Sequence, residues 1–192
     1  MFDILYEDFF EDPLAPDRVE MPARYFKVYS INGLPKKKEE YKDGHIVMVV
    51  YYIAPDEILE EVLALFPEKM DIRVRNCIGE YMHTRSREFV KGELLFPEST
   101  WVKDRNGNEI YFSSGDGETI KSYFDESGKE LYVFWYRDNE LVNMETCNPK
   151  HNGFNHEDQS FFSLEKMKAL AGFDWAAMGY FHHAEPVIPD SV

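Results

Sequence analysis

Cysteine is scarce, and its scarcity removes two chemistries. The 192 residues hold only Cys77 and Cys147, 70 positions apart, neither in a C-x-x-C pair nor beside a histidine. Zinc and dithiol redox sites therefore lack their usual ligand spacing. The expectation is two reduced core thiols, with a disulfide only in oxidising surroundings. Long apolar runs are missing too: no stretch approaches the roughly 18 residues a spanning helix needs. Bases are few, 21 Lys and Arg against 36 Asp and Glu, for a net charge of −15. A field of that sign opposes approach to nucleic-acid phosphates and anionic lipid, and it draws basic proteins in. The same acidity also keeps cytosolic proteins soluble, and that reading stands beside the binding one.

Catalytic signatures are absent as well. There is no G-x-S-x-G elbow, no H-E-x-x-H, and no phosphate cradle, since "GDG" at 115–117 is followed by no helix-opening lysine. No catalytic residue, metal site or cofactor is indicated. Paired carboxylates are too abundant for any one pair to carry weight. The opening "MFDILYEDFFEDP" is acidic where a secretory signal is basic and then apolar. The expected location is the cytoplasm.

What is present is a well-stocked core, with 44% apolar and 16% aromatic residues. A chain this long buries about 70% of its unfolded surface, so one domain over 1–192 needs no staple. Turn dipeptides organise it. Asn32-Gly33 and Asp43-Gly44 lie 11 apart; Asn106-Gly107, Asp116-Gly117, Ser127-Gly128 and Asp138-Asn139 follow at spacings of 10, 11 and 11. Such pairs supply the positive dihedrals of tight hairpins and leave room for ordinary strands.

The expected fold is α+β: a curved antiparallel β-meander of about seven to nine strands, one amphipathic helix near 56–66, and short C-terminal helices on one face. N-terminal hairpin strands fill 24–53, the meander 72–147 and the C-terminal helices 160–182. The stretch 34–43 reads as a polar edge strand guarded by Lys36, Lys37 and Lys38. In "APDEILEEVLALFPEKM", Ile58, Leu59, Val62, Leu63, Leu65 and Phe66 form one side, opposite Glu57, Glu60 and Glu61, with Asp56 capping the helix or in its first turn and Pro67 ending it. The aromatic run Leu131–Tyr136 is apolar on both faces and reads as a central strand; an exposed aromatic stripe for a partner is the alternative. Ser163 and Asp174 are placed to cap C-terminal helices.

Two sets of residues are candidates for function. Residues 1–20 carry seven acids against Arg18, interleaved with aromatics. Glu7, Asp8, Phe9, Phe10, Glu11 and Asp12 thus form a candidate docking surface for a basic protein, joined by Glu57, Glu60 and Glu61. The second set is His151 and His156 near Asp158, with His182, His183 and Glu185, a candidate pocket for an enzyme or small-ligand protein. No metal-ligand spacing supports it.

The stretches "YSINGLPKKKEEYKDG" and "YFDESGKELYVFWYRDNELV" set Tyr29, Tyr41, Tyr123 and Tyr136 ahead of their turns. This pattern resembles the tyrosine-and-glycine β-hairpin repeats of the MORN-variant and YD type over about a third of the chain. The resemblance implies a hairpin scaffold without an active site. Such repeats occur in bacterial polymorphic-toxin systems, in toxins and in immunity-like proteins, so the resemblance implies a binding scaffold. With the net charge, the acid-and-aromatic N-terminus and the missing catalytic constellation, the expectation is an inhibitor of the immunity type that binds a basic protein, such as a toxin.

Overall fold

A computed structural model describes residues 2–8, 12–15, 21–66, 68–146, 163–169 and 173–185. Among them are twelve strands: β1 (Asp3–Glu7), β2 (Arg24–Ile31), β3 (Leu34–Lys42), β4 (His45–Tyr52), β5 (Lys69–Ile78), β6 (Tyr81–Val90), β7 (Glu93–Leu94), β8 (Ser99–Lys103), β9 (Glu109–Ser113), β10 (Glu118–Phe124), β11 (Glu130–Arg137) and β12 (Glu140–Thr146). Helix α1 (Leu59–Leu65) joins β4 to β5. Helix α2 (Leu164–Lys168) and two 3-10 turns (Trp175–Ala177, Gly179–Phe181) follow the strands. Hydrogen-bonded neighbours run in sequence order from β1 to β12, except that β7 pairs only with β6 and β8 lies next to β6. Contacts divide the chain into two compact units, one of Met1–Arg75 with Arg85–Glu98, the other of Asn76–Thr84 with Ser99–Val192.

The protein is mostly β, as the turn spacing implies, but three expectations are corrected. The strands are more numerous, because β1 and the two-residue β7 escape a search for apolar alternation. The sheet is mixed rather than antiparallel throughout: β4 and β5 run parallel, Val49 opposite Met70 and Tyr52 opposite Arg73. Parallel neighbours need a crossover, and α1 is that crossover. Third, β3 is no edge. It lies between β2 and β4, and β1 adds a strand beyond β2.

The charges at its middle are accordingly inside the first unit and neutralised there. Lys38, Glu39 and Glu40 are all buried. Lys38 pairs with Glu7 at 2.9 Å and Glu40 with Arg24. Glu39 accepts from Lys37 at 2.7 Å and from the Tyr29 hydroxyl at 2.8 Å. Burial alone would raise the Glu39 carboxyl, but these bonds outweigh it and hold it below its usual value. Burial and the Glu39 charge together push Tyr41 up to about 12. Asp71 is satisfied in the same way, by Ser86 and by Arg73 at 2.8 Å. The apolar core of this unit lies under α1, where Val62 meets Val49, Met70, Ile72 and Phe89.

In the second unit β8 to β12 form the expected consecutive meander, and the aromatic run is central. β11 lies between β10 and β12, with Tyr132, Phe134 and Tyr136 buried. The C-terminal elements cover that face: Met167, Phe173, Phe181 and Ala184 close over Tyr132, Phe134, Tyr136 and Met144. Asp174 caps its 3-10 turn as expected, accepting from the Ala176 and Ala177 amides at 3.0 and 3.4 Å. Ser163 precedes α2 but makes no side-chain cap bond. Cys77 is exposed near the end of β5 instead of in the core, and Cys147 lies outside the described residues.

The turn residues carry the strain their sequence implies. Asn32, Asp43, Asp138 and Asn139 have φ between 50° and 68°. Gly117 is tightly constrained, with φ +96° and a hypothetical Cβ 2.8 Å from Asp138 Oδ1. Gly107 has φ +85° and open space. Gly107→Ala is expected to cost about 1 kcal/mol, and Gly117→Ala about 1 kcal/mol more, in urea unfolding. Equal costs would mean that the Asp138 side chain moves aside freely.

Candidate functional site

The sequence-selected acids divide into those used inside the fold and those left outside it. Glu57 belongs to the first group. Its carboxylate pairs with Lys36, accepts the Tyr51 hydroxyl at 2.7 Å and accepts the Ala54 amide at 2.6 Å. Lys36 lies 4.6 Å from the Tyr51 ring centroid and donates to the Tyr52 carbonyl at 2.9 Å. Burial would raise Glu57; the bonds from Lys36, Ala54 and Tyr51 outweigh it and hold the carboxyl below its usual value. Burial and the bond to Glu57 push Tyr51 up to about 12. Glu57 therefore fastens the β4–α1 connection and is not free for a partner. Asp56, read as the cap, does not cap: the helix begins after Ile58, with no side-chain cap bond.

Glu7 and Asp8 are also internal. Glu7 is held by Lys38, and Asp8 Oδ1 accepts the Asp12 amide at 3.0 Å across a turn. Asp12 is exposed, and Phe9, Phe10 and Glu11 lie outside the described residues. The candidate N-terminal docking surface is thus reduced, among the described residues, to Asp12 and the exposed apolar side chains of Phe2, Ile4 and Leu5.

The acids of α1 are different. Asp56, Glu60 and Glu61 are exposed, with no ion pair or hydrogen bond from their side chains among the described residues. They stand beside Ile58 and Leu65, which are 54% and 71% exposed. A cavity of about 340 Å³ opens here, lined by Tyr51, Asp56, Glu57, Glu61 and the two apolar residues among others. Ile58 and Leu65 are therefore not on the core side of the helix. At about 100° per residue, Leu59, Val62, Leu63 and Phe66 cluster in one direction, while Ile58 and Leu65 fall roughly 90° to one side. That offset was legible in the spacing, and it places them with Glu61.

The second unit holds its own unusual group beneath the C-terminal segment. Lys121 on β10 is fully buried, at 0% exposure. Its ammonium donates to the carbonyls of Tyr180 at 2.7 Å and Glu185 at 2.8 Å, and lies 4.0 Å from the Tyr180 ring centroid. Burial pulls it down to about 8, against the Glu185 charge. The Tyr136 hydroxyl donates to the Phe181 carbonyl, a second tie to the same segment. Burial raises the Tyr136 and Tyr180 hydroxyls further still above their ordinary value.

Two cavities adjoin this segment, of about 510 and 250 Å³, sharing Tyr123, Tyr180 and Phe181 in their walls. Among the described residues no histidine lines either. The His182 ring contacts the Trp175 carbonyl at 2.7 Å and lies 4.5 Å from the Trp175 ring; His183 is exposed. His151 and His156, with Asp158, lie outside the described residues. His83 is half-buried, and burial lowers it. Among the described residues no group of three or more His, Cys, Asp and Glu is placed to hold a metal ion. No helix among them is long and apolar enough to cross a membrane. Compared with protein-family models, with curated proteins and with solved structures, the chain matches none.

Proposed function

We propose that this is a non-enzymatic binding protein that takes a basic protein partner on the acidic face around α1. The single observation that carries the reading is the set Asp56, Glu60 and Glu61, exposed and internally unpaired beside Ile58 and Leu65. Carboxylates without internal partners keep their full charge available to a cation. The net charge of −15 steers such a partner in over long range, and Asp56 and Glu61 line the α1 cavity that a cationic side chain would enter. Apolar residues at the rim add the desolvated contact on which slow dissociation depends. The finer reading is an inhibitor of the immunity type that neutralises a basic toxin in the bacterial cytosol. Support for it comes from the hairpin-repeat resemblance and from the acidity.

The test compares one captured partner against two charge-matched variants. Protein from the native host is captured on the immobilised chain and identified, and its affinity is then measured. Asp56→Lys/Glu60→Lys/Glu61→Lys is expected to weaken binding by about 100-fold or more. Glu126→Lys/Glu140→Lys/Glu165→Lys carries the same net change elsewhere and should alter it by less than about fivefold. Equal losses would reduce the effect to bulk charge and remove α1 as the site. A partner that bound both variants as well as the parent would end the proposal.

A further inference from the structure

The cavities of the second unit carry an inference independent of the α1 reading. Their walls are unusually aromatic. The larger is lined by Tyr123 and Tyr132 from the strands and by Asp174, Met178, Tyr180 and Phe181 from the C-terminal segment. The smaller adds Tyr81, Phe124 and Asp104. Among the described residues no lysine, arginine or histidine lines either one, and each holds one carboxylate.

Charge narrows what could occupy them. An anion meets Asp174 in one cavity, Asp104 in the other and the net charge of −15 around both. A cation meets the Lys121 ammonium, which already lies over the Tyr180 ring at 4.0 Å from its centroid. A neutral ligand meets neither penalty. Hydrogen-bonding capacity narrows it again. The carbonyls of Trp175, Met178, Gly179, Tyr180 and Phe181 are committed to Met178 N–H, Phe181 N–H, His182 N–H, Lys121 and Tyr136 respectively. Asp104 spends both oxygens on Asn106 and Asn108. Asp174 spends Oδ1 on the Ala176 and Ala177 amides, which leaves Oδ2 to accept from a ligand hydroxyl. Tyr123, 37% exposed, offers a ring and a hydroxyl at the boundary of the two cavities.

We infer that this paired cavity binds a neutral oligosaccharide, with a sugar C–H face stacked on Tyr123, Tyr180 in the wall the two cavities share and a hydroxyl donating to Asp174 Oδ2. Stacking on an aromatic face together with a few placed polar groups is how such concave sites hold ligands. Two cavities on either side of a shared tyrosine wall suit at least two sugar rings.

NMR titration of the full chain tests this with neutral di- and trisaccharides of varied linkage, and with tetramethylammonium and benzoate as charged probes. At least one saccharide is expected to shift Tyr123, Tyr180 and Asp174 together and to saturate below about 10 mM. Tyr123→Ala should weaken it by at least about tenfold, while Tyr123→Phe keeps the stacking face and loses less than about threefold. Binding by the α1 charge-reversed variant should equal the parent's, which separates this site from the protein-docking face. Saturation by either charged probe with none by a saccharide would overturn the inference. So would the absence of any shift at these three residues across the panel.

Discussion

Phe134→Ala is expected to lower the stability of the second unit by about 3 to 5 kcal/mol. Its side chain is 0% exposed on the central strand β11. Its ring stacks on Phe181 at a centroid distance of 4.4 Å and lies 5.8 Å from Trp175. Truncation therefore opens a cavity at the point where the C-terminal segment docks, removing both transfer energy and ring contacts. Domains of this size are stable by about 5 to 15 kcal/mol, so the change takes a large share of the total. Urea unfolding followed by tryptophan fluorescence measures it. Val142→Ala, on the exposed side of β12, is the control and should stay near 0.5 kcal/mol. A Phe134 effect below 1 kcal/mol would mean that the C-terminal segment does not rest on this ring.

Lys121→Met is expected to be nearly neutral at pH 7 and costly at pH 10, the reverse of an ordinary ion pair. At pH 7 the parent carries a buried ammonium, which burial disfavours, and two strong bonds to carbonyls, which oppose that cost. The folded lysine titrates near 8, lowered from 10.5. Between those values the unfolded chain binds more protons than the folded one, so this group's contribution to stability rises with pH. Below 8 both states are protonated and the full desolvation cost is present. By pH 10.5 the parent should have gained about 3 kcal/mol on the variant, the free-energy equivalent of that shift. Tyr136 and Tyr180 act oppositely: burial keeps them protonated in the fold, so stability falls as the unfolded chain ionises above about pH 10. Both proteins share that loss, so the difference between their urea curves isolates the lysine. A difference that stays flat or shrinks as pH rises would show that the amine is not held in a dry site.

The hairpins were legible because a turn is a local event. Asn32-Gly33, Asp43-Gly44 and Asp138-Asn139 adopt positive φ for steric reasons contained in two residues, and the strands between them follow from spacing. Lys91, also at positive φ beside Gly92, is the turn whose residue types gave no warning, and β7 went unseen with it. The centrality of β11 was legible because Leu131–Tyr136 is apolar on both faces. The site was less so. Of the acids singled out in the sequence, Asp12, Glu60 and Glu61 are exposed, with no side-chain partner among the described residues, while Glu7, Asp8 and Glu57 are consumed by the fold.

Composition and local spacing by themselves determined an acidic, mostly β chain of consecutive hairpins with an aromatic central strand, because charge, turn chemistry and alternation are properties of neighbouring residues. Only tertiary structure decided which charges are free. Lys38 meets a glutamate 31 positions away, and Lys121 meets carbonyls 59 and 64 positions away. Whether a carboxylate or an amine faces water or a partner depends on what the chain brings opposite it, and no local pattern encodes that distance.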